Sequence, residues 1–112
     1  MKLIKSEFER FNKNSFPIIT KGYIIEKYPF LGICKFHDEW SCYHIPSKLG
    51  FLANYNNEKK RGILLKRIEK IMSKLTDADI VRFSKVKKGF SKTNKLGIKL
   101  VKLITWAAYC DN

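Results

Sequence analysis

Apolar residues near the start of the chain recur at a helical spacing. Ile4, Phe8 and Phe11 fall at i, i+4 and i+7, which places them on one face of a helix. A polar stretch and then Pro17 end this pattern, because such residues favour turns and interrupt helices. We therefore predict a short N-terminal helix over residues 3–13.

The next stretch is rich in β-branched and aromatic residues, which favour strands. Tyr23–Ile25 forms the centre of a first strand. Leu31–Phe36 and Trp40–Ile45 read as a hairpin, and Phe51–Tyr55 offers a third strand. The pattern predicts a small antiparallel sheet of about three strands within residues 18–55.

The register of this hairpin decides which of its side chains reach solvent. A two-residue loop at residues 38–39 pairs His37 with Trp40. The solvent face then also carries Cys42 and His44, because side chains alternate along a strand. A three-residue loop makes both faces apolar, so we prefer the two-residue loop.

The second half of the chain predicts helices, because its apolar residues recur at helical spacing between capping and turn residues. Thr76–Asp79 resembles a capping box, with Asp in place of the usual Glu. The three helices are predicted over about 57–75, 77–88 and 95–109. The fold class is therefore α+β: an N-terminal helix, a small sheet and three further helices, in a single domain of residues 1–112.

The charge of the chain is large and unevenly distributed. There are 23 Lys and Arg residues against 10 Asp and Glu, a formal net charge of +13. Residues 1–56 contribute +3 and residues 57–112 contribute +10. A field of this sign favours polyanionic partners, namely nucleic acid or an acidic protein surface.

The cations of the second half recur at helical spacing and form stripes suited to a phosphate backbone. Trp40 adds a stacking platform on the hairpin, where Lys35, His37 and His44 share its predicted face. The predicted binding residues are Lys59, Lys60, Arg61, Lys66, Arg67, Lys70, Lys74, Lys85, Lys88, Lys95, Lys99, Lys102 and Trp40.

Four side chains that can bind metal lie within eleven residues, namely Cys34, His37, Cys42 and His44. Their spacing matches no zinc pattern, and the preferred register points Cys34 away from Cys42 and His44. Direct contact between Cys42 and His44 on one strand is strained, so a nucleophile and its base do not meet there. We expect no metal, no cofactor and no enzymatic activity.

Location and function follow from these patterns. The chain has no run of 18 apolar residues and no apolar segment after its first residues, so neither a membrane span nor a secretory signal is predicted. Three cysteines without a close pair favour reduced thiols and a cytoplasmic location. The first hypothesis is a small, basic, non-enzymatic protein that binds DNA or RNA. The alternative is an inhibitor from a phage or mobile element that binds a host or defence protein complex through the same cations, Trp40 and Tyr43.

Overall fold

The computed structural model of the protein describes residues 1–52, 60–87 and 95–109. The strands are β1 (Leu3–Phe11), β2 (Pro17–Ile25), β3 (Tyr28–Phe36), β4 (Glu39–His44) and β5 (Leu49–Gly50). The helices are α1 (Arg61–Met72), α2 (Asp77–Lys85) and α3 (Lys95–Tyr109). The α+β class and the three C-terminal helices are confirmed, whereas the N-terminal helix and the three-stranded sheet are wrong.

The five strands form one antiparallel sheet in chain order, and the sheet curls on itself. The Phe11 N–H donates to the Lys48 carbonyl across 2.9 Å, which brings the end of β1 to the start of β5. On the inner side of the curl, the Phe8 ring lies 6.4 Å from the Tyr43 ring. A Cβ added at Gly32 would lie 2.7 Å from Phe8 Cε1, so glycine allows this close approach.

Strand β1 replaces the predicted N-terminal helix. Phe8 and Arg10 are buried while Glu7 and Glu9 are exposed, so the fold uses the alternation of this segment rather than its i, i+4 spacing. All nine residues of β1 pair with β2. The helix prediction failed because the periodicity of one segment carries no information about a pairing partner further along the chain.

The polar stretch read as a helix stop is the turn of the β1–β2 hairpin. The Asn12 side chain accepts hydrogen bonds from the N–H groups of Asn14 and Phe16, at 2.9 and 3.0 Å. Ser15 adopts a positive φ of 62°. An Asn side chain that bonds the backbone two residues on is typical of turns. The prediction of a turn at this position is therefore right, but the turn joins two strands and does not end a helix.

The β3–β4 hairpin turns one residue earlier than predicted. Phe36 pairs with Glu39, which leaves His37 and Asp38 as the two loop residues. Both have positive φ, 49° and 64°, as a type I′ turn requires. Neither His37 nor Asp38 is the residue most favoured at its position, so no clear local signal marks this turn.

The pairing shifts by two residues, which keeps Trp40, Cys42 and His44 on one face together, but the helices cover this face instead of leaving it to solvent. Cys42 lies opposite Ile33 and His44 lies opposite Leu31, in the core between sheet and helices. Cys42 and His44 are both 0% exposed. Their predicted place on the solvent face is therefore wrong.

Several boundaries also differ from the predictions. Strand β5 precedes the predicted third strand, of which residues 53–55 lie outside the described residues. Helix α1 begins at Arg61, and the predicted residues 57–59 are likewise outside the described part. Helix α2 ends at Lys85.

Local helix signals were read correctly. Thr76 Oγ1 accepts from the Asp79 N–H, and Asp79 Oδ2 accepts from the Thr76 N–H, both at 3.1 Å. The predicted capping box at the start of α2 is thus confirmed. Helix α3 has the predicted bounds.

The helices pack on the outer face of the curled sheet. The core contains Ile25, Leu31, Ile33 and Cys42 from the sheet, Leu64, Ile68, Ile71 and Met72 from α1, Phe83 from α2, and Leu96 and Leu100 from α3. Within the described ranges, none of the helices combines the length and the apolar character that crossing a membrane requires.

Candidate nucleic-acid interface

Three of the predicted binding residues hold the helices together. The ammonium groups of Lys70 and Lys74 lie 5.6 and 5.4 Å from the centre of the Trp106 ring on α3. Lys99 on α3 donates to Asp79 on α2 across 2.5 Å. This hydrogen bond lowers the pKa of the Asp79 carboxyl, and the Thr76 N–H adds to the effect. These contacts give the three lysines a structural role.

The remaining predicted cations are distributed over the helices. Arg67 on α1 is half-buried. Lys59 and Lys88 lie outside the described residues. The exposed members are Lys60, Arg61, Lys66, Lys85, Lys95 and Lys102, together with Lys74.

Arg61, at the start of α1, lies over two aromatic rings of the sheet. Its guanidinium carbon is 5.4 Å from the centre of the Tyr23 ring and 5.5 Å from that of Trp40. The two rings are 6.2 Å apart. A guanidinium held over aromatic faces is attracted by their π-electrons. Because Tyr23 lies on β2 and Trp40 on β4, this contact joins the N-terminus of α1 to both strands.

Exposed lysines extend this group across the sheet. Lys5 lies directly opposite Tyr23 in the β1–β2 pairing, and Lys35 lies directly opposite Trp40 in the β3–β4 pairing. Lys21 shares the face of Tyr23, because residues two apart on a strand point to the same side. We define the basic sheet surface as Lys5, Lys21, Tyr23, Lys35, Trp40, Lys60 and Arg61.

Among the described residues, few acidic groups oppose this charge. Glu7 lies opposite Lys21 on the same face. Asp38 approaches Lys35, with Nζ and Oδ1 3.9 Å apart, but the Asp38 side chain is 93% exposed. Such an exposed pair contributes little. The basic sheet surface therefore retains a positive excess.

Trp40, Lys60 and Arg61 were predicted as binding residues, and Lys35 was predicted to share the face of Trp40. Lys5, Lys21 and Tyr23 were missed. Their proximity to Trp40 depends on the pairing of β1 with β2, and β1 had been read as a helix. Charged residues at every second position, Lys5, Glu7 and Glu9, were the available signal of a strand.

The four Cys and His side chains considered as metal ligands do not come together in the described residues. Nowhere in the described ranges do three or more His, Cys, Asp or Glu side chains form a group able to hold a metal ion. Cys34 and Cys42 are buried free thiols on opposite faces of the sheet. Burial raises the pKa of both thiols, which keeps them protonated and makes them poor ligands and nucleophiles. His37 is exposed in the hairpin loop.

His44 is held in the core by hydrogen bonds. Its Nε2 lies 2.7 Å from the Phe83 carbonyl oxygen, and its Nδ1 lies 2.7 Å from Ser47 Oγ. A carbonyl can only accept, so Nε2 carries the proton and Nδ1 accepts from the hydroxyl. Burial lowers the pKa of His44, partly offset by the hydrogen bond to Phe83. His44 therefore does not share a binding surface with Trp40.

Tyr43 also lies apart from Trp40. Its side chain is half-buried on the inner side of the curl, where Arg10 Nη1 donates to its hydroxyl across 3.3 Å. Trp40 points to the opposite side, because residues three apart on a strand face opposite ways. The two aromatic residues named in the inhibitor hypothesis therefore do not form one contact surface.

Comparison of the chain with protein-family models, with curated proteins and with solved structures finds no match. A functional interpretation therefore depends on the chemistry of the basic sheet surface.

Proposed function

We propose that the protein is a non-enzymatic nucleic-acid-binding protein and that the basic sheet surface contacts the polymer. The observation that carries this proposal is the position of Arg61 over Tyr23 and Trp40, with Lys5 and Lys35 beside the two rings. Cations contact phosphates and aromatic faces stack on bases, so the surface combines the two contacts that nucleic acids offer.

The charge of the whole chain supports the same proposal. A net charge of +13 on 112 residues creates a long-range field that draws polyanions and accelerates their association. Lys85, Lys95 and Lys102 contribute to this field from α2 and α3 without forming part of the sheet surface. In this proposal they steer the polymer, while the sheet residues hold it.

A titration of labelled oligonucleotides against salt tests the proposal. The logarithm of the binding constant should fall linearly with the logarithm of salt concentration, by about 0.7 to 0.9 for each phosphate contacted. With five cations on the surface, we expect a slope of roughly −3 to −5. No binding at about 50 mM salt, or binding without a salt slope, contradicts the proposal.

A capture experiment with nuclease-treated host lysate separates the inhibitor hypothesis from nucleic-acid binding. If the protein captures a stoichiometric protein from host lysate after nuclease treatment, and binds no oligonucleotide, the inhibitor is favoured. Loss of all partners on nuclease treatment favours nucleic acid.

A cytoplasmic location is part of the proposal. Its support is the cysteine pattern, since Cys34 and Cys42 are buried on opposite faces of the sheet and unpaired cysteines are typical of a reducing compartment. We also propose that the protein is not an enzyme. The raised pKa values of Cys34 and Cys42 leave little thiolate at neutral pH, so neither is suited to act as a nucleophile.

A further inference from the structure

We infer that the basic sheet surface takes single-stranded nucleic acid, with one base stacked at Tyr23 and Trp40. This inference rests on the proposed function and adds to it the form of the polymer and the position of the base. Three observations support it: the pairing of the Tyr23 and Trp40 rings, the arrangement of the sheet lysines, and the contacts that hold cations of α1 within the protein.

The ring pair offers a place for a flat group. The Arg61 guanidinium lies at nearly equal distances, 5.4 and 5.5 Å, from the centres of Tyr23 and Trp40. A guanidinium is planar and stacks on aromatic faces, and a nucleobase is a planar group that stacks in the same way. We place a base at this position, with Arg61 turning toward the adjacent phosphate.

Access to the face of a base requires a single strand. In a duplex each base is covered on both faces by its neighbours, so aromatic side chains stack on bases that are unpaired and splayed out. Tyr23 and Trp40 are half-buried beside the core with Arg61 over them, so the base that takes the place of Arg61 must be unpaired. In an intact duplex, the faces of the same rings have no exposed base to stack on.

The lysines are arranged to follow an extended backbone. Lys5, Lys21 and Lys35 lie on β1, β2 and β3, which are successive strands of the sheet. Neighbouring strands are about 4.8 Å apart, so the three lysines extend across roughly 10 Å of the face. A single strand of nucleic acid that crosses the sheet in this direction contacts the three lysines and reaches the Tyr23 and Trp40 rings.

In the described part of α1, several charged side chains are engaged within the protein rather than aligned along a duplex groove. A protein that reads a duplex inserts a helix or a β-ribbon into the major groove. On α1, Lys70 and Lys74 face the Trp106 ring, and Glu69 is paired with Lys27 across 2.8 Å. These contacts direct α1 toward the rest of the protein.

The experiment uses Trp40 as its own reporter. The chain has two tryptophans, so the Trp106→Phe variant leaves Trp40 as the sole indole. The protein is titrated with a single strand of about twelve nucleotides, with an abasic strand of the same length, and with a hairpin duplex of the same sequence. The abasic strand carries the same phosphates without bases, so it measures the backbone contribution alone.

We expect the single strand to quench Trp40 emission and to bind about tenfold more tightly than the abasic strand. The duplex should leave the emission unchanged. In the full chain, Trp40→Leu should remove the preference for bases, while Trp40→Phe retains most of it. Trp40→Leu should weaken binding of the abasic strand by a smaller factor than binding of the single strand.

The outcomes separate this inference from the proposed function. Equal binding of all three polymers, or tighter binding of the duplex, overturns the single-strand inference and leaves nucleic-acid binding in place. Failure to bind any polymer overturns the proposed function itself. If Trp40→Leu does not fold, the comparison of the single strand with the abasic strand still decides the inference.

Discussion

His44 on β4 donates a hydrogen bond of 2.7 Å to the backbone carbonyl of Phe83, and its imidazole stacks on the Phe83 ring at 4.8 Å. Phe83 lies in the last turn of α2. The last carbonyls of a helix lack the usual i+4 donor, and this one accepts from His44 and, at 3.4 Å, from the Val86 N–H. Because Ser47 donates to the other ring nitrogen, the neutral imidazole satisfies both contacts and folding opposes its protonation.

We predict that the free energy of unfolding falls as the pH drops below about 6.5. The pKa of His44 is lowered in the folded protein, so the unfolded chain binds the proton first. The stabilising contribution is complete above the unfolded value of 6.5 and is lost as the pH falls toward the folded value. One such group changes stability by at most about 1.4 kcal/mol per pH unit.

Urea unfolding between about pH 8 and pH 5 measures this effect, in a range above most carboxyl pKa values. His44→Gln is the matched control, because glutamine keeps an N–H donor for the Phe83 carbonyl and does not titrate. The variant should show a flatter pH profile. If the variant loses as much free energy of unfolding at low pH as the unaltered protein does, the effect belongs to another group.

A second prediction concerns two glycines that should respond to alanine with opposite signs. A Cβ at Gly32 would lie 2.7 Å from the Phe8 ring, so Gly32→Ala should destabilise the protein by about 1–3 kcal/mol. A Cβ at Gly62 meets nothing within 4 Å, and alanine favours a helix by up to about 1 kcal/mol. Thermal and urea unfolding compare the two variants. Equal destabilisation would contradict the packing of Phe8 over Gly32.

A third prediction concerns the cap of α2. Thr76→Ala removes the acceptor for the Asp79 N–H and should lower the free energy of unfolding by about 1 kcal/mol. Ser73→Ala is the control, because Ser73 is exposed and its hydroxyl bonds the Lys70 carbonyl one turn earlier. That change should remain within about 0.5 kcal/mol. If Ser73→Ala lowers the free energy of unfolding as much as Thr76→Ala does, the stabilising role of the capping box is contradicted.

The sequence predicted those parts of the fold that depend on local signals. Thr76 and Asp79 form the capping box that their spacing indicates, and α3 has its predicted bounds. The N-terminal segment failed, since both helical spacing and strand alternation were present and the choice is made by pairing with β2. The hairpin register failed because His37 and Asp38 adopt positive φ without a glycine to mark the turn.

The candidate surface was predictable only in part for the same reason. Trp40, Lys60 and Arg61 were identified from charge and aromatic content. Lys5 and Lys21 come into the group through the sheet, and neither charge density nor helical periodicity draws attention to them. The high positive charge of the second half lies mainly on the helices. Several of its lysines contact other side chains of the protein.

The central claim is that the basic sheet surface, rather than the helices, holds the nucleic acid. Two triple variants with the same loss of charge test it: Lys5→Ala with Lys21→Ala and Lys35→Ala, against Lys85→Ala with Lys95→Ala and Lys102→Ala. For a single strand, we predict that the first triple reduces the salt slope by about 2, whereas the second changes it by less than about 0.7. An equal or larger reduction in the helix triple would contradict the account and place the interface on α2 and α3.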